Sequence, residues 1–88
     1  MREIFEMHPQ YEKIESYYGK AKIVADKNMR YLWSYSDITA SYNVDTKELR
    51  ILFSRGDMPP TTLRHLKEFA RQYGYVMDEN GMFKRLDI

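Results

Sequence analysis

Apolar and polar residues change their period along this chain, and the changes divide it into elements. From Lys20 the two classes alternate with a period of two, which places one class on each face of a strand. In "KAKIVAD", Ala21, Ile23 and Ala25 alternate with Lys20, Lys22, Val24 and Asp26. "DKN" is turn chemistry. "MRYLWSYS" then sets Met29, Tyr31, Trp33 and Tyr35 against Arg30, Leu32, Ser34 and Ser36. "DITASYNV" sets Ile38, Ala40, Tyr42 and Val44 against Asp37, Thr39, Ser41 and Asn43. The step from Tyr35 to Ile38 is odd, so a turn or bulge near Ser36–Asp37 is needed to keep both runs facing the same way. After "DTKE", Leu49, Ile51 and Phe53 oppose Arg50, Leu52 and Ser54. Four strands in series with one shared apolar face and short connections predict an antiparallel meander.

The period then becomes helical. In "MPPTTLRHLKEFARQYG", Leu63, Leu66, Phe69, Ala70 and Tyr73 fall within about 120° at 100° per residue, an adequate buried stripe. The spacing predicts a helix over about 61–73, capped by Thr61 or Thr62 and closed by Gly74 in the left-handed conformation. This helix is the expected cover for the sheet. "YVMDENGMFKRLDI" reads as a terminal hairpin around an Asn80-Gly81 type I′ turn, its first strand joining the sheet. "HPQYEKIESYYG" offers a short N-terminal helix, with Pro9 in the first turn, Gly19 at the end, and Tyr11, Ile14 and Tyr18 on one stripe. "MREIFEMH" carries no decisive period. The predicted fold is α+β: an antiparallel meander of four to five strands with one main helix packed on one face.

The 88 residues fit one domain, 1–88, with 43% apolar residues, enough for a core. Eight tyrosines, four phenylalanines and one tryptophan are a heavy aromatic load, whose first use in a small domain is packing. The net charge of +1 argues against a dedicated nucleic-acid coat and against an acidic mimic. No cysteine is present, which removes disulfides, thiolate metal sites and cysteine nucleophiles. No signal peptide or membrane-length apolar run is found, and a cytoplasmic setting is expected.

Four features could carry function. Arg64, Lys67 and Arg71 share one helix flank, within about 60° on the wheel, and long cations aimed one way suit phosphate or an acidic partner; the plain alternative is a solvated face beside Glu68. Tyr31, Trp33 and Tyr35 have the spacing of a base-stacking platform, but shared facing with Ile23, Ile38, Val44, Leu49, Ile51 and Phe53 assigns them to the core. Val24, Leu32 and Leu52 interrupt the polar face of three strands. They form either an apolar contact for a partner or a surface covered by the first helix or the last hairpin, and internal cover is preferred. His65 and Glu68, at i and i+3, could form an acid–base couple. Two groups do not make a metal site, and His65 reads as a boundary residue fixing the helix to the sheet. No phosphate loop, nucleophile elbow or acidic metal cluster occurs, so no catalytic, cofactor-binding or metal-ligating residue is assigned and no cofactor is expected.

"SYYGKA" at 16–21, "SY" at 34–35 and "TTLRHLKEFARQYG" at 61–74 resemble a group of small uncharacterised proteins encoded by Gram-positive phages, plasmids and integrative elements. In that group a "YGKA" strand opens the sheet and a "TT-x-RH-x-x-EF" helix follows the last central strand. The chain departs from the group at "RGDMPP", where Gly-Trp-Tyr-Ser-Ala or similar often precedes the threonines. The resemblance implies a cytoplasmic accessory protein of a mobile element. The function expected is therefore non-enzymatic binding of a host or element protein, with the flank of Arg64, Lys67 and Arg71 as the expected contact surface and nucleic-acid binding through that same flank as the alternative.

Overall fold

The computed structural model describes residues 2–12, 20–35, 37–52 and 58–86. Five strands form one antiparallel sheet in sequence order: β1 (Arg2–Glu6), β2 (Ala21–Asp26), β3 (Met29–Ser34), β4 (Asp37–Asn43) and β5 (Glu48–Ile51). The helix α1 (Pro60–Gln72) follows, then β6 (Tyr75–Met77) and β7 (Phe83–Arg85). The α+β meander with a single main helix is as the period pattern predicts. Among the described residues no helix is long and apolar enough to cross a membrane.

The first strand comes from "REIFE", the segment without a clear period. It pairs with β2, Phe5 opposite Ile23 and Ile4 opposite Val24. The chain then leaves the sheet through Met7, which is buried in the core. The expected N-terminal helix is not seen over 8–12, which run as bends and coil, and its remainder, 13–19, lies outside the described residues.

The core lies between the sheet and α1. Met7, Ala21, Ile23, Leu32, Ala40, Tyr42, Leu66 and Phe69 form it, with Leu49, Ile51, Leu63 and Tyr73 packed at its margin. The helical stripe read from the sequence is the one that packs, and burying Leu66 and Phe69 is worth about 1.5–3 kcal/mol each. Gly74 takes φ 87° and ends the helix. The start differs from expectation: Pro59 is the N-cap and Pro60 the first helical residue, with no side-chain cap. Thr62 lies inside the helix, buried, where the Ser34 hydroxyl donates to its Oγ1 at 3.3 Å.

β3 is turned over relative to the pattern reading. Ile23 pairs with Leu32, and Leu32 with Ala40, so Leu32 is the β3 residue under the helix, 0% exposed. Met29, Tyr31 and Trp33 therefore point to the opposite face. Ile38 joins them, because the register of β3 against β4 shifts at Leu32/Trp33 and leaves Thr39 as the extra residue. The expected turn does fall between the paired Ser34 and Asp37, but the bulge lies at Leu32/Trp33; Ser36 itself is outside the described residues, as is Phe53. Tyr35 leaves the row altogether, exposed at the hairpin tip with φ 57°.

The C-terminal hairpin forms a two-stranded sheet of its own; β6 does not join the main sheet. It packs beside α1, where the Tyr75 hydroxyl donates to the Lys47 carbonyl at 2.7 Å and its ring meets Tyr42 edge-on. Its turn is a three-residue loop with Gly81 at φ 81°, not a two-residue type I′ turn. The Asp78 carboxylate accepts the Met82 and Asn80 amides, each at 2.9 Å. The Met82 amide foremost holds this carboxyl below the usual range, despite some opposing desolvation; the Asn80 amide and Lys84 add to the lowering.

Candidate functional site

The basic helix flank is built as the spacing predicts. Arg64, Lys67 and Arg71 line one groove of about 410 Å³, whose other wall is Tyr75, Val76 and Met77. The N-terminal segment is strapped across the end of it. Arg64 forms an ion pair with Glu12, and the Arg71 guanidinium lies 4.6 Å from the centre of the Tyr11 ring. Lys67 alone of the three has no ion-pair or ring partner among the described residues. Two of the three cations are thus already engaged inside the molecule.

Glu68 holds that strap in place. It is 3% exposed and accepts the backbone N–H groups of Gln10, Tyr11 and Glu12, each at 3.0 Å. Gln72 Nε2 donates to the same carboxylate at 2.6 Å and to the His8 carbonyl at 2.8 Å. A buried carboxylate is costly unless its lone pairs are filled, and here amide donors fill them.

His65 is not beside Glu68 in function. Its Nδ1 lies 2.8 Å from the Ser34 hydroxyl at the end of β3. Burial pushes the imidazole below its ordinary value; Arg64 and Lys20 add to that and Glu12 opposes it. Ser34 and His65 have the distance of a nucleophile–base pair, but they are 2% and 1% exposed, so no substrate reaches them. The pair is a polar tie between β3 and α1. Among the described residues no group of three or more His, Cys, Asp or Glu side chains could hold a metal ion.

The surface that the pattern reading placed inside is the second candidate. Neither α1 nor the β6–β7 hairpin covers the face of the main sheet opposite the core. Arg2, Ile4, Val24, Asp26, Tyr31, Trp33 and Ile38 line a concavity of about 370 Å³ there. Ile4 and Ile38 are 54% and 51% exposed. The Trp33 indole is half-buried, and its Nε1 is enclosed without a hydrogen-bond acceptor among the described residues. Carbon atoms of the ring therefore carry its exposure, an arrangement suited to apolar contact.

Of the three apolar residues singled out from the sequence, only Val24 belongs to this concavity. Leu32 is a correction: the register puts it in the core. Leu52 follows the end of β5, half-exposed, its amide bonded to the Thr39 carbonyl at 2.9 Å. Internal cover, the preferred reading for the three, holds for Leu32 beneath the helix; Val24 is buried too, among its neighbours on the open face, and only Leu52 is exposed.

The charges on this face cancel. Pairing places Arg2, Asp26, Glu6 and Lys22 on the open side of β1 and β2, and Glu48 and Arg50 on that of β5. Arg2 pairs with Asp26 at 3.8 Å and Arg50 with Glu48 at 3.4 Å. Three cations meet three carboxylates, which leaves no net attraction for a polyanion.

No curated protein and no solved structure matches the chain. A family of unknown function, DUF8033, matches residues 5–85, a span running from the end of β1 to the last strand and containing the helix groove and all of the concavity except Arg2 and Ile4. The chain belongs to that family.

Proposed function

We propose that the chain is a non-catalytic protein-binding module whose contact surface is the open face of the main sheet. The observation that carries the reading is an apolar cluster on a sheet face that neither α1 nor the hairpin covers: exposed Ile4 and Ile38 and half-buried Tyr31 and Trp33, over a buried Val24. Aromatic and branched side chains inside a charged rim are the anatomy of a protein interface. The cancelled charge of the rim supports a protein over a nucleic acid, and the engagement of Arg64 and Arg71 within the molecule weakens the helix flank as a phosphate reader. The seclusion of Ser34 and His65 supports a role without catalysis. The resemblance to mobile-element proteins supports a cytoplasmic accessory role, in contact with a host or element protein.

Photo-crosslinking in cells tests the reading. A benzophenone amino acid at position 38 is expected to give a covalent protein adduct, and the same group at position 67 is not. Adducts at 67 with none at 38, or adducts to nucleic acid, would contradict it.

A further inference from the structure

Pairing across the main sheet arranges its open face as three rows. Arg2, Asp26, Met29, Asn43 and Glu48 form the first. Ile4, Val24, Tyr31, Ser41 and Arg50 form the second. Glu6, Lys22, Trp33 and Ile38 form the third. Along β1 and β2 the first row reads plus, minus, and the third reads minus, plus.

A two-fold axis running across the strands along the second row exchanges the first row with the third. Arg2 then faces Glu6 of a second copy, and Asp26 faces its Lys22. Each of these pairs occurs twice. Met29 meets Trp33, while Ile4, Val24 and Tyr31 meet their own counterparts at the axis. Such self-complementarity is what an isologous two-fold interface demands, and two twisted sheets stacked face to face keep their strands within about 30° of alignment. Arg50 falls on its own counterpart at the β5 edge, where Glu48 of the same chain already neutralises it.

We propose that the occupant of the open face is a second copy of this chain, joined sheet to sheet about this axis. The inference rests on the reading of this face as the contact surface and names the protein bound there. Five strands about 4.8 Å apart and about five residues long give roughly 400 Å² of face per copy. That lies below the roughly 800 Å² per partner of a standard stable interface, so the dimer exchanges with monomer as concentration changes.

Two charge reversals test it by sedimentation analysis. D26K alone sets an introduced ammonium against Lys22 of the second copy, and K22E alone sets an introduced carboxylate against its Asp26. Each variant alone is expected to weaken self-association by about tenfold or more. An equimolar mixture is expected to recover it as a heterodimer, because both cross pairs are then opposite in sign. Circular dichroism of each variant establishes that it folds. A wild-type chain that stays monomeric at millimolar concentration, or folded variants that do not recover on mixing, would overturn the inference. A monomeric chain whose position-38 crosslinks still capture a different protein would overturn the second copy and leave the contact face standing. A monomeric chain with no adduct at 38 would overturn both.

Discussion

Single residues do work in this molecule that their type does not announce. Glu68 sits on the flank that the wheel assigns to water, yet it anchors the strap at 10–12 through three backbone amides. Glu68→Ala removes the carboxylate those amides share and is expected to cost about 2–3 kcal/mol in urea unfolding. Glu68→Gln keeps one accepting oxygen and should fall between. A loss no larger than that of the exposed Glu48→Ala would contradict the anchoring role. His65 carries the pH dependence. Burial lowers its native pKa, so the unfolded chain holds the proton more tightly. Stability is therefore full above the ordinary imidazole value of about 6.5 and declines as pH falls from there toward the lowered native value. The urea midpoint is expected to drop between about pH 7 and about pH 5.5, and His65→Gln should flatten that slope. An unchanged slope in the variant would contradict this account.

At the scale of elements, α1 was legible because five apolar residues at helical spacing admit one buried face, and Gly74 marks its end. The strand positions were legible too, since alternation survives in four of five. The facing of β3 was not, because both of its faces carry large apolar residues: Tyr31 and Trp33 on one, Leu32 on the other. Counting the turn settles it. Lys27 and Asn28 are the whole loop, with Asp26 opposite Met29. Every further pair then keeps the same sum of residue numbers, which sets Ile23 opposite Leu32 and turns the aromatics away from the core. That two-residue turn runs through Lys27 at φ 55°, a conformation that lysine does not signal. β1 escaped notice because Ile4 and Phe5 are adjacent, which breaks the alternation, and because an edge strand with little cover needs no buried face. Likewise the Asn80-Gly81 pair announced a hairpin, while the Asp78 side chain selects the longer loop.

At the scale of the whole molecule, one helix and one small hairpin pack on one face of a five-stranded sheet and do not reach the other. The candidate surface read from the sequence, the basic flank, is real as a groove but partly engaged from within. The Tyr31 and Trp33 wall of the open-face concavity follows from the inversion of β3. The indole of Trp33, the only tryptophan in the chain, reports on that inversion directly. Acrylamide quenching of its fluorescence, measured in dilute protein, is expected to lie between that of a free indole and that of a core indole, and to diminish as concentration rises and the face is covered. Emission as insensitive to acrylamide as that of a buried core residue at every dilution would contradict the account, because it would place Trp33 back beneath the helix.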